Sequence, residues 1–266
     1  MLTSQCFFDL SNFPNEDLFT PADPVWQPLN DLKTYMDAYR YPKYDNVYIR
    51  NGIPLTEAIV IHRGRTLCFT ELEIIYGNTT KGELQVKRAG IRLEGASVIM
   101  AGAVLLGEKI ALGQGVLVEA GAMIKSPAII GDMSEIRQGA YLRGYCLAGK
   151  RCVLGHATEI KHSILLTDAK AGHFAYLGDS ILGNNVNLGA GTKLANLRFL
   201  PGDITVFFEG KHLDTSRRKL GAIMADGCQT GCNSVTSPGT LMARGAVLMP
   251  NATAKSGYHK ERAILR

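Results

Sequence analysis

The sequence predicts an all-β fold, a parallel solenoid of stacked three-sided coils, and three observations predict it. Stepping by six from Met100 reaches Leu106, Leu112, Val118, Ile124, Ile130, Ile136, Leu142, Ala148, Leu154, Ile160 and Leu166, all apolar. In a chain that is 46% hydrophobic, such a run in one phase is roughly a one-in-ten-thousand event. A second row two residues earlier in each step, from Val98 and Val104 through Ser134, Cys146, Cys152 and Thr158 to Ile164, is small or branched throughout. Glycine often follows the first row, as at Gly107, Gly113, Gly131, Gly149 and Gly155, where a side chain would obstruct a corner. Neither a 3.6 nor a 2.0 period accommodates a strict step of six with two inward rows. Three flat sides of six residues do, each coil of about 18 resting on the last at the sheet spacing of about 4.8 Å.

The remaining elements follow from where that step fails. Its phase slips by four between Leu166 and Leu182, resumes at Val186, Leu188 and Thr192, and is lost from about Leu197 to Ala222. It returns at Met224, Cys228 and Thr230 and runs to Ala246 and Leu248. Irregular segments on a rigid scaffold are where function tends to sit. Residues 1–88 carry no step of six and predict a small mixed α/β cap. In it, Asp23-Pro24 followed by Val25, Leu29, Leu32 and Met36 gives an amphipathic helix, while Leu67 to Tyr76 suits strand or helix. Alternation on either side of Glu209-Gly210 predicts a β-hairpin arm protruding from the prism, followed by the basic run Arg217-Arg218-Lys219. The expected organisation is a cap over 1–88, the solenoid over 89–254 with an insertion at 197–221, and a tail over 255–266.

A chain of 266 residues buries roughly three quarters of its unfolded surface, so neither metal nor disulfide is needed as a staple. The six cysteines match no paired C-x-x-C pattern and predict reduced, small apolar fillers. The formal charge of +5 is scattered, without the dense basic stripe of a nucleic-acid binder. No apolar run is long enough to span a membrane, and the N-terminus MLTSQCFFDL lacks the regions of a signal peptide. A cytoplasmic protein with no nucleic-acid or membrane partner is expected.

Four stretches carry a specific resemblance: Ile136-Arg-Gln-Gly-Ala-Tyr-Leu142, Glu159-Ile-Lys161, Lys170-Ala-Gly-His-Phe-Ala-Tyr-Leu-Gly-Asp179 and Gly183-Asn-Asn-Val-Asn-Leu-Gly-Ala-Gly-Thr192. Residues 130–196, and more loosely up to 254, resemble the hexapeptide-repeat glucosamine-1-phosphate N-acetyltransferase half of the bifunctional enzyme that makes UDP-N-acetylglucosamine. The resemblance implies a left-handed β-helix, a homotrimer with sites between protomers, and acetyl-CoA as acyl donor to an amino-sugar phosphate, most directly glucosamine-1-phosphate, for cell-envelope synthesis. It implies His173 as the base that takes the amine proton, a role imidazole fills near neutral pH. Arg137 and Lys161 match phosphate-binding cations. Tyr176 and Asn187 match sugar-positioning residues, and Asn196 one contributed by a neighbouring subunit. Ala190 matches a position lining the coenzyme groove. Cys232 stands where the family has an oxyanion serine, so the backbone amide transfers more cleanly than the thiol, a weak donor.

Departures fall after Asn196, where Leu197-Arg198-Phe199 replaces a Tyr-Asp-Gly and about twenty residues are inserted. Lys219 matches a substrate-binding lysine once that insertion is skipped. No glycine-rich nucleotide loop occurs in residues 1–88, so no uridylyl transfer is expected. Three rivals remain: a γ-carbonic-anhydrase-type metal site using His156, His162 and His173; acyl transfer to a lipid-A precursor; and a non-catalytic scaffold that binds sugar nucleotides. The first is disfavoured because His156 and His162 point outward from adjacent sides and His62 lies outside the prism. No metal is therefore expected.

Overall fold

The computed structural model describes residues 2–44 and 47–266 and forms a left-handed parallel β-helix. One side of the prism stacks, in chain order, the strands Ser97–Ile99, Leu117–Val118, Glu135–Ile136, Val153–His156, Lys170–His173, Asn187–Leu188, Gln229–Thr230, Val247–Leu248 and Ile264–Leu265. The second side runs from Val104–Leu106 to Thr253–Ala254, and the third from Ile110–Leu112 to Gly257–His259. Every pairing between neighbouring coils is parallel and in register, so side chains align in columns along the axis.

From Val116 and Val118 to Thr158 and Ile160 both rows read from the sequence point inward; in the first coil, which holds 19 residues, Ile99 and Leu105 take the inward places expected of Met100 and Leu106, and past the corner at His162 Leu165 takes that of Leu166. Ile124, Leu142, Leu154 and Ile160 are fully buried, and so are Ser134, Cys152 and Thr158 of the second row. The buried hydroxyls are satisfied by the coil that follows. Ser134 Oγ donates to the Gly149 carbonyl at 3.0 Å and accepts the Cys152 amide at 2.9 Å, while Thr158 Oγ1 donates to the Ala171 carbonyl. Burial pushes the thiols of Cys146, Cys152 and Cys228 up to about 12, so they are inert fillers. The other three cysteines depart from expectation: Cys6 and Cys232 are exposed and Cys68 is half-buried, because none occupies an inward row.

Glycine after the inward residue has a specific cause at Gly155. A Cβ there would lie 1.8 Å from the carbonyl oxygen of Gly172 in the next coil. The slip of phase also has a physical origin. Tyr141 pairs with Glu159, 18 residues on, but Cys146 pairs with Ser163, 17 residues on. The corner between the second and third sides has lost one residue, leaving His162 and then Asp179 as single left-handed corner residues with φ of 45° and 49°. The insertion grows out of this same corner one coil later, between Asn196 and Leu220.

The first 88 residues divide between two places on the prism instead of forming one cap. The helix Gln27–Ala38 buries Leu29, Leu32 and Met36 as its spacing predicts. Together with Phe7, Phe8, Phe13 and Phe19 it joins the hydrophobic core continuous with the prism interior. The N-terminal stretch runs alongside the coils, where Asp226 accepts the amides of both Asp9 and Asn184 at 2.7 Å. The hairpin Ile59–His62/Arg65–Cys68 extends the first side by antiparallel pairing to Ser97–Ile99, closing the lower end. Leu72–Ile75 is a strand, in a three-stranded antiparallel sheet with Gln85–Arg88 and Ile91–Arg92.

The predicted hairpin arm is Thr205–Phe208 paired with Lys211–Asp214 around Glu209 and Gly210, both at positive φ. Its inner side is anchored: Val206 is fully buried and Phe208 packs edge-on to Tyr258 at 5.0 Å. Residues 255–266, expected as a tail, instead form the closing coil, because Gly257–His259 and Ile264–Leu265 pair in register with the strands below.

Candidate functional site

The conserved register builds one column at the edge of the first side, where it turns into the second. His156 pairs with His173. The His173 carbonyl accepts the Gly191 amide, and the Ala190 carbonyl accepts the Asn233 amide, which extends the column through Ala190 to Cys232. Three residues expected to act together, His173, Ala190 and Cys232, therefore stand on successive coils. His173 and Cys232 are exposed. The Cys232 amide has no hydrogen-bond acceptor among the described residues.

Beside this column the outward positions are Gly155, Gly172, Gly189 and Gly231. A Cβ on Gly189 would come within 2.6 Å of the Cys232 nitrogen, so the strip stays bare. Lys170, Asn187 and Gln229 border it on the far side. The result is a bare strip along the axis with His173 and Cys232 on one edge and Asn187 on the other. Arg137 closes its lower end, beside Gly155 in the coil below.

Arg137 is not a free cation. Its Nε and Nη2 lie 3.0 and 2.9 Å from Glu135 Oε2, and Glu135, itself buried, also accepts the Thr79 amide at 2.8 Å. Lys161 is engaged as well, 3.3 Å from Asp179 Oδ2. The two residues expected to clamp a phosphate thus stand on different sides of the prism, separated by the breadth of the second side. One chain does not bring them together.

What one chain does bring together is a cluster around Asp179, at the corner between the second and third sides. Asp179 accepts from Asn196 Nδ2 at 2.6 Å and Arg217 Nη2 at 3.0 Å, and lies 3.2 Å from His162 Nδ1. Burial disfavours its charge, yet hydrogen bonds from His162 and Asn196 and the charges of His162 and Lys161 outweigh this and hold its carboxyl down to about 2. Burial also lowers Arg217, against the pull of Asp179. Tyr176 Oη reaches Asn196 Oδ1 at 3.4 Å across the space left by Gly178, where a Cβ would lie 2.7 Å from that hydroxyl.

Lys219 belongs to this neighbourhood. Leu197 bridges Lys219, and the Leu220 amide donates to the Asn196 carbonyl at 3.0 Å, so the insertion is pinched shut at its neck. Lys161, Tyr176, Asn196 and Lys219 are therefore gathered at one corner, as though the inserted residues were absent. Sequence reasoning missed Asp179 and Arg217 and named His162 only as a ligand of a rival metal site. Asp179 closes the quoted block Lys170–Asp179 and marks the phase slip, which was the available signal; Arg217 was visible only as part of a basic run.

The profile of the GMPPB C-terminal domain family matches residues 124–264, more than half of the 266. The chain belongs to that family. A bifunctional sugar-1-phosphate nucleotidylyltransferase/acetyltransferase of Sulfurisphaera tokodaii is 37% identical over 113 residues, 42% of this chain and 28% of that protein. The bifunctional protein GlmU of Methanocaldococcus jannaschii is 40% identical over 100 residues, 38% of this chain and 24% of its own length. That of Methanococcus aeolicus is 36% identical over 167 residues, 63% and 39% respectively. The chain thus spans well under half the length of these relatives. The similarity to the acetyltransferase half of such bifunctional proteins, read from the motifs, is borne out. No described helix is long and apolar enough to cross a membrane, and no group of three or more His, Cys, Asp or Glu residues among the described ones could hold a metal ion.

Proposed function

We propose that this chain is an acyltransferase that moves acetyl from acetyl-CoA to the amine of an amino-sugar 1-phosphate, glucosamine-1-phosphate in the first instance, in the cytoplasm. One observation carries the proposal: His173, Ala190 and the amide of Cys232, which has no acceptor among the described residues, fall in a single column beside a strip of glycines. In the reaction the amine lone pair attacks the thioester carbonyl and a C–N bond forms. The amine proton passes to a His173 ring nitrogen, the C–S bond breaks, and the coenzyme thiolate leaves and is reprotonated. The Cys232 N–H is the donor available to the developing oxyanion. The acetyl-CoA chain would lie along the bare strip past Ala190.

His173 and the Asp179 cluster stand at the two ends of the second side, and one side of a prism does not by itself enclose a ligand. A second protomer set against the second side would supply the opposing wall, which supports a homotrimer with sites at its seams. There Lys161, Tyr176, Asn196 and Lys219 of one chain would face His173, Asn187 and Arg137 of another.

The test is release of coenzyme thiol from acetyl-CoA with glucosamine-1-phosphate, galactosamine-1-phosphate and UDP-linked amines. His173→Ala is expected to lower turnover by about 10²–10⁴-fold while acetyl-CoA affinity, read by calorimetry, stays within a few-fold. A second reading, a non-catalytic β-helix that binds sugar nucleotides, draws on the engagement of Arg137 by Glu135 and Lys161 by Asp179. Sugar-nucleotide binding without thiol release on any amine would establish it instead.

A further inference from the structure

We infer that His156 is a positioning residue for His173, setting the orientation of its ring by stacking. The inference rests on the proposed role of His173 as base. A general base needs a fixed ring, and the terminal χ2 torsion of histidine is broad when nothing holds it. In most sites a carboxylate or carbonyl on one ring nitrogen does so. Among the described residues, neither ring nitrogen of His173 has a hydrogen-bond or ion-pair partner.

What touches the ring is another ring. His156 and His173 lie with centroids 5.4 Å apart and planes 23° from parallel, the stacked member of the pair held by strand register. Phe174, at 6.2 Å and 43°, is tilted, more distant and itself exposed on the corner. The flanking outward positions are Gly155 and Gly172 and offer no side-chain support. On the opposite face of the His173 ring stands Ala190, whose methyl leaves room. His173 is thus backed from the coil below and open toward the coil above, the direction in which Cys232 and the proposed thioester lie. His156 touches neither.

Two readouts test this, the first with acetyl-CoA and glucosamine-1-phosphate as the probes. The first is kinetic. His156→Ala is expected to lower kcat ten- to a hundredfold with KM for both probes unchanged, the size of loss a misplaced reacting group produces, and His156→Phe, which keeps a flat ring without nitrogens, to recover kcat to within about threefold. A phenylalanine variant as poor as the alanine one would overturn stacking as the mechanism. The second needs no turnover: the carbon-bound ring protons of His173, assigned by NMR through their loss in His173→Ala, should shift in His156→Ala and stay close to wild type in His156→Phe. Unmoved resonances in a folded His156→Ala protein overturn the inference. Full turnover in His156→Ala with none in His173→Ala overturns it alone, whereas full turnover in His173→Ala removes the reading beneath it.

Discussion

The two corners of the second side differ in how completely their polar groups are used. At the corner around Asp179 one buried carboxylate gathers Lys161, His162, Asn196 and Arg217, and Arg217 also reaches Asn30 at 3.0 Å, tying the insertion to the N-terminal helix. At the corner around His173 the two imidazoles stack on each other beside the tilted Phe174 ring, neither their ring nitrogens nor the Cys232 amide has a hydrogen-bond partner among the described residues, and glycines leave the adjoining strip bare. Satisfied groups in low dielectric rigidify a structure. Unsatisfied ones at a rigid edge are available to a ligand. The difference teaches that, within one chain, the Asp179 corner is built for shape and the His173 corner for contact.

Breaking the first corner should therefore cost stability where breaking the second costs activity. The largest expected effect is from Asp179→Ala, which leaves Lys161 and the mostly buried Arg217 without their counter-charge. A loss of about 3–5 kcal/mol is expected, measured by urea denaturation. A loss below about 1 kcal/mol would mean the cations find other partners and the comparison fails.

The next is acid sensitivity. Asp179 is held down to about 2 in the folded chain, against an unfolded carboxylate near 4. The unfolded state therefore binds more protons as pH falls through this window. The stabilisation is fully present above about pH 4 and lost progressively toward pH 2, amounting to roughly 2–3 kcal/mol by linkage. Stability measured across that range should fall for wild type and fall less steeply for Asp179→Asn.

The smallest effect sharpens the other corner. Cys232→Ser places a stronger donor where the proposed oxyanion forms, on an exposed residue with no structural bond to lose. A rise in kcat of a few-fold with stability unchanged to within about 0.5 kcal/mol is expected from thiol-release kinetics and thermal melts. A fall in kcat would place the thiol itself in contact with the substrates.

Much of the fold was legible from the chain because a solenoid is nearly one-dimensional. Each coil rests only on its neighbours, so a step of six written into Leu142, Leu154 and Ile160 maps directly to inward columns. The helix at Leu29, Leu32 and Met36 and the turn at Glu209-Gly210 were local patterns of the same kind. Two expectations took another form in the structure. The tail became a coil because its short strands pair only when the preceding coil is present, and the cap divided because Phe7, Phe13 and Trp26 bury themselves along the prism wall. Within one chain Arg137 and Lys161 stand apart, each with its own carboxylate partner, Glu135 two residues from Arg137 and Asp179 one coil on from Lys161.

The sequence by itself determined the prism and the residues on its columns from Val116 to Ile160, since hydrophobic period and glycine placement are local constraints that add up along a stack. Only the tertiary structure decided which of the charged groups are spent and which are free. Ion pairs and ring stacking depend on distances of a few ångströms between residues brought into contact by coiling, and a lost residue at His162 or a pinched neck at Leu197 and Lys219 changes those distances without changing any motif.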